Sequence, residues 1–108
     1  MEKIYTGNIE IKQNNCQEWQ NKLKNIEKIT GDLSIYSNVS FKADNLKSVG
    51  GYLSIYSNVS LPNLKSVGGY LYISSNVSFK ADNLKSVGGD LSISSNVSFK
   101  ADNLKSVG

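Results

Sequence analysis

A chain of 108 residues with 12 lysines, 9 acidic residues and a formal net charge of +3 has room for one domain that buries somewhat under two-thirds of its unfolded surface. It contains no histidine and no arginine, one cysteine (Cys16) and one proline (Pro62). Those absences remove the usual general base, zinc ligand and pH switch, the guanidinium fork, and any intramolecular disulfide or multi-cysteine metal site.

The N-terminus, residues 1–8, lacks the apolar core of a signal peptide, and no later stretch is long and apolar enough to span a bilayer. A cytoplasmic, non-enzymatic protein without cofactor or metal is the expectation. The first regular element is an alternating segment, Ile9-Glu10-Ile11, inside a stretch (residues 7–14) that matches residues 31–38 in type. Cys16, Trp19, Leu23 and Ile26 then fall on one helical stripe. They predict a short amphipathic helix over residues 15–25 whose tryptophan covers part of the core as an N-terminal cap. Cys16 on that stripe reads as a buried, inert thiol, since no histidine can activate it. Residues 1–30 form a diverged first rung with this insertion, continuous with the rest of a single domain.

Four near-identical units follow: residues 31–50, 51–68, 69–88 and 89–108. The period is 20, shortened to 18 in the second unit, where Leu61-Pro62-Asn63-Leu64 replaces a six-residue stretch. Each unit opens with L-x-I, which directs two aliphatics to one face and their neighbours to the other. Leu33/Ile35, Leu53/Ile55, Leu71/Ile73 and Leu91/Ile93 are therefore core, in parallel strands stacked at about 4.8 Å per rung. The Gly-Gly pairs at 50–51, 68–69 and 88–89 are expected to supply backbone angles that only glycine adopts at low cost. The return path, read as turns or short 3-10 segments, contributes Val39, Phe41, Leu46 and Val49. It stacks Phe41, Phe79 and Phe99 in one column, with Leu61 filling that column in the short unit. Pro62 is acceptable there because no ladder strand is expected. Asn38, Asn58, Asn76 and Asn96 are expected to bond backbone groups of adjacent rungs.

Leu53-Ser54-Ile55-Tyr56-Ser57-Asn58 reproduces the pattern L-x-L-x-x-N, and the chain thereby resembles the leucine-rich-repeat superfamily over residues 7–108. The fuller unit LKSVGGYLYISSN is most similar to the short bacterial and receptor L-domain-like repeats. The resemblance implies a repeat solenoid of stacked parallel β-strands that serves as a recognition surface.

Few residues offer chemistry. The four Asn-Val-Ser triplets match a glycosylation acceptor, but they recur because the unit recurs. Asp32 and Asp90 lie rungs apart with no further ligand to complete a metal shell. The glycine pairs lack phosphate-loop spacing. Lys42, Lys80 and Lys100, with Lys47, Lys65, Lys85 and Lys105, form two columns with Asp44, Asp82 and Asp102 between them, a pattern that suits a solvated surface.

The three full-length units differ only at their second, fourth and sixth positions: Asp32/Tyr70/Asp90, Ser34/Tyr72/Ser92 and Tyr36/Ser74/Ser94. All are outward side chains of the strand, and the short unit adds Tyr52, Ser54 and Tyr56. Five of the six tyrosines thus share one surface, with Tyr52 expected beside Tyr70 and Tyr36 beside Tyr56. Tyrosine gives stiff, amphipathic contact area and is enriched at interface hot spots.

A protein partner bound through Tyr36, Tyr52, Tyr56, Tyr70, Tyr72, Asp32 and Asp90 is the functional expectation. The alternatives are a phage or mobile-element inhibitor of a host defence machine such as a CRISPR effector, a self-associating structural module, and a single-stranded nucleic-acid binder that pairs tyrosines with lysines. The last strand also predicts a homodimer edge at Leu91, Ile93, Phe99, Leu104 and Val107, where a rung would otherwise lack a neighbour.

Overall fold

Two aliphatics separated by one outward residue make a strand too short to persist alone, so it gains order only from identical neighbours above and below. The computed structural model describes residues 3–36, 39–74, 77–94, 98–100 and 104–107, with Ser98, Phe99, Lys100 and Ser106 described by backbone alone. It consists mostly of short parallel strands in three sheets, with one short helix. The front sheet stacks Ile9–Ile11, Leu33–Ile35, Leu53–Ile55, Leu71–Ile73 and Leu91–Ile93 in sequence order. Every pair is parallel and in register, so that Ile9, Leu33, Leu53, Leu71 and Leu91 form one column and Ile11, Ile35, Ile55, Ile73 and Ile93 another. Both members of the L-x-I pairs are fully buried in the second, third and fourth of these strands.

The return path is richer than the expected turns. It carries a four-stranded back sheet (Phe41–Lys42, Val59–Ser60, Ser78–Lys80, Ser98–Lys100) and a six-stranded flank sheet. The flank strands are Ile4–Tyr5, Lys28–Ile29, Ser48–Val49, Ser66–Val67, Ser86–Val87 and Ser106–Val107. Segments of two or three residues leave no alternation to read, yet stacking gives each one ladder partners. Turns remain at Asp44-Asn45, Pro62-Asn63 and Asp82-Asn83, so Pro62 needs no ladder donor.

The short unit reaches this register in an unexpected way. Val59, not Leu61, joins the phenylalanine column between Phe41 and Phe79. Leu61 instead falls level with Ala43 and Ala81, and all three are buried. A smaller residue in one column is thus matched by a larger one in the next, which keeps the rung's core filled. The two missing residues come out of the preceding corner, where Ser57 turns inward. Its hydroxyl accepts from the Val39 N–H at 3.0 Å and donates to the Val39 carbonyl. Among the described residues no buried side-chain nitrogen or oxygen lacks a partner.

The glycine pairs serve closeness of approach. Among the described residues only Gly7 has a positive φ, 120°. A Cβ on Gly68 would collide with the Gly50 carbonyl oxygen, and one on Gly69 would sit 3.0 Å from the Gly51 carbonyl carbon. Of the asparagines expected to bond adjacent rungs, Asn58 does so, its Oδ1 accepting from the Ser78 N–H of the next rung at 2.9 Å, while Asn38, Asn76 and Asn96 lie outside the described residues. A second ladder was not expected: Asn45, Asn63 and Asn83 donate Nδ2 to the carbonyls of Lys24, Asp44 and Pro62 in the preceding rung.

The insertion forms a helix, Cys16–Lys22, continued by a 3-10 turn, Leu23–Asn25. Leu23 is buried, while Trp19, Ile26 and Cys16 pack half-buried against the core. The thiol is therefore less enclosed than expected, with Sγ 3.8 Å from the Ser40 carbonyl oxygen. Gln20 takes the place of a missing back-sheet strand. Its side-chain amide accepts from the Lys42 N–H at 3.2 Å and donates to the Lys42 carbonyl, covering that edge.

Gly68→Ala is expected to destabilise the fold by roughly 1–3 kcal/mol, because the added methyl must separate two backbones already in contact. A urea midpoint equal to that of the parent chain would show that the rungs have slack at this corner.

Candidate functional site

Outward positions on a twisted parallel sheet form columns, and the front sheet has three. Asn8, Asp32, Tyr52, Tyr70 and Asp90 precede the strands. Glu10, Ser34, Ser54, Tyr72 and Ser92 are their central residues, and Lys12, Tyr36, Tyr56, Ser74 and Ser94 follow them. Side chains in one column stand a rung apart, which is stacking distance for aromatic rings. Tyr52 and Tyr70 stack with centroids 4.5 Å apart and planes inclined by 15°. Tyr36 and Tyr56 stack at 5.8 Å and 7°. Tyr72, in the central column, makes a tilted contact with Tyr56 at 5.6 Å. The expected neighbours are therefore in place, and the sixth tyrosine, Tyr5, packs edge-on against Trp19 at the capping end.

Polar residues hold the low-numbered end of this face. Asn8 Oδ1 accepts from the Asp32 N–H at 2.9 Å, and Asp32 Oδ1 accepts from the Tyr52 N–H at 3.0 Å. Asp32, expected as a partner contact, thus serves a backbone ladder that continues as the Tyr52–Tyr70 stack. Lys12 lies 5.5 Å from the Tyr36 ring centroid and 3.9 Å from Glu10. The Tyr36 hydroxyl donates to Glu10 at 3.4 Å.

These carboxylates act on the phenols. Tyr36 is raised above the ordinary tyrosine value of 10.0, first by the charge of Glu10 and then by desolvation and their hydrogen bond. Tyr52 is raised first by the charge of Asp32, then by Tyr70 and the hydrogen bond to Asp32. Both rings therefore stay neutral over the physiological range.

An open depression of about 370 Å³ lies among Tyr56, Tyr70 and Tyr72, with Ser54 and Ser92 alongside and Asp90 lining it. Ser54 is buried, Tyr72 half-buried, and Tyr56, Tyr70 and Asp90 exposed. The sequence signal for Ser54 is slight: it is a small central residue with Tyr52 and Tyr56 two positions to either side.

The other expected residues lie elsewhere. Lys42 and Lys80 project from the back sheet, while Lys47, Lys65, Lys85 and Lys105 adjoin the flank strands. Aromatic and basic columns therefore occupy different faces. Lys42 pairs with Asp44 at 3.7 Å and Lys47 with Glu27 at 2.8 Å, and the second contact lowers the Glu27 carboxyl. At the edge expected to self-associate, Leu91 and Leu104 are half-buried against the core, and Ile93 and Val107 are 45% and 47% exposed. The Phe99 side chain and Asp102 lie outside the described residues. Among the described residues no three His, Cys, Asp or Glu side chains cluster as a metal site, and no helix is long and apolar enough to cross a membrane.

Comparison with protein-family models, curated proteins and solved structures finds no match.

The raised phenols give a pH signature. Folding favours their protonated form, so this contribution to stability is fully present below about pH 10 and is lost as pH climbs through the raised values. In a phenolate absorbance titration, Glu10→Gln is expected to bring one late-ionising tyrosine back toward 10.0. An unchanged titration curve would show that Glu10 does not act on Tyr36.

Proposed function

We propose that the chain is a leucine-rich-repeat-like solenoid, without catalytic activity of its own, that binds a protein partner through the front-sheet tyrosines. The observation that carries this reading is the continuity of the aromatic surface. Two stacked tyrosine pairs and Tyr72 cover adjacent rungs of one face. Neither core packing nor the backbone ladders call for aromatic rings there, since Ser34, Ser74, Ser92 and Ser94 occupy the central and following columns and Asn8, Asp32 and Asp90 the preceding one. Rings held by each other lose little further freedom on binding, which favours affinity. Inhibition of a host defence machine is one form such binding would take. The nucleic-acid reading is weaker, because every described lysine but Lys12 lies on other faces than the stacked rings.

Replacing Tyr52, Tyr56, Tyr70 and Tyr72 with serine is expected to leave the far-ultraviolet spectrum and the unfolding midpoint nearly unchanged. Partner binding should fall by several kcal/mol, as hot-spot loss does. Changing Lys47, Lys65 and Lys85 should matter much less. Binding governed by those lysines, with a steep salt dependence, would replace this reading with nucleic-acid recognition.

Self-association is a second reading, supported by the exposure of Ile93 and Val107. Light scattering over a concentration series should then show a dimer that Ile93→Lys disperses. A monomer at every concentration would refute it.

A further inference from the structure

Charge is unevenly shared among the three faces: Lys42 and Lys80 of the back sheet are matched by Asp44 and Asp82 of the turns that follow. Among the described residues the front columns carry Glu10, Asp32 and Asp90 against the single ammonium of Lys12. The remaining lysines belong to the flank sheet, the back sheet and the helical insertion. A chain of net charge +3 therefore places its carboxylate-rich surface where its tyrosines are. The depression among Tyr56, Tyr70, Tyr72 and Asp90 on that surface is lined by aromatic rings, serines and a carboxylate, with no lysine among the described lining residues.

Each of those groups favours the same kind of guest. Aromatic faces are the negative part of the ring quadrupole and attract ammonium or guanidinium groups within about 6 Å. A carboxylate beside them adds a charge-assisted hydrogen bond. An acidic or phosphorylated guest would meet Asp90 with no compensating cation among the described lining residues.

We propose that this depression receives a lysine or arginine side chain of the protein partner, so that the surface recognised is basic. The inference rests on the front face being the protein-binding surface, and deepens that reading by assigning the chemistry of its partner. The Tyr36–Tyr56 and Tyr52–Tyr70 stacks hold two walls in place before binding, and the Tyr72 hydroxyl is 3.5 Å from Ser94 Oγ. Selectivity follows from Asp90. The same position is Asn8 in the first rung and Tyr70 in the fourth, so the fold does not require an acid there.

The test is an amide-resolved titration of the full chain with three end-blocked pentapeptides of glycine alternating with lysine, glutamate or serine. Only the lysine peptide should move the amides of Ser54, Tyr56, Tyr70, Tyr72 and Ser92. Its affinity should fall about two- to fivefold in Asp90→Asn, the scale of one exposed ion-pair contact. Added salt should weaken it further. Absence of response, equal response to the glutamate or serine peptide, or response confined to the back or flank sheet would overturn the proposal. The same amides moving with a neutral oligosaccharide, or with protein concentration alone, would also overturn it by naming a different occupant. If a protein partner needs the tyrosines but binds Asp90→Asn as tightly as the parent, and without salt dependence, the cation notch fails while the front-face reading stands.

Discussion

Close contact between successive backbones at the glycine corners governs the rest of this structure. Gly50 lies against Thr30, Gly68 against Gly50 and Gly88 against Gly68, too near for any Cβ. The rungs are thereby held at ladder distance on all three sides, and the hydrophobic alternation leaves one register, since a slip of one residue would turn every Leu and Ile of the front sheet to solvent. Strands of two or three residues have little stability singly. Here each shares its hydrogen bonds with rungs on either side, and the cooperative unit is the stack.

Outward side chains inherit that spacing. A column one rung apart brings unlike functions onto a shared geometry: the Asn8–Asp32–Tyr52 ladder, the Tyr52–Tyr70 stack, and the asparagines 45, 63 and 83 that tie turn to turn. Only the central and flanking positions of the front strands vary between the full-length units. The scaffold and the variable surface are thus separable, which is how a repeat protein can change what it binds at little cost to how it folds. Among the described residues, Glu10, Asp32 and Asp90 lie beside the tyrosines, while most lysines, with Glu27, Asp44 and Asp82, lie along the other two sheets and their turns.

Much of this was legible because repetition exposes register. The Leu33/Leu53/Leu71 columns, the tyrosine pairs and the helix at 16–22 follow from alternation, spacing and the recurrence of one unit. What escaped has identifiable causes. Two-residue strands such as Ser48–Val49 carry no periodicity of their own. Val59 entered the phenylalanine column because the short unit lost residues from its preceding corner, where Ser57 now bonds Val39, instead of from the stretch that looks shortened. Glycine at 50, 68 and 88 signals a corner in sequence without saying whether angle or proximity demands it, and here proximity does. Gln20 gave no sign that its amide would finish a sheet edge, because that depends on where the helix lands. The depression beside Asp90 is likewise a product of three strands and invisible in any one of them.

In-register stacking, one rung at a time, sets every column of the front face, and paired cysteines measure it directly. In a Cys16→Ser background, Ser54→Cys with Tyr72→Cys places thiols on adjacent rungs, about 4.8 Å apart along the stack. Ser34→Cys with Tyr72→Cys places them two rungs apart, beyond the roughly 7 Å Cα separation that a disulfide spans. Mild oxidation followed by peptide mapping should find an intramolecular disulfide in the first variant and none in the second. Equal cross-linking in both, or cross-linking only of the distant pair, would contradict the stacking from which every column on the front face is derived.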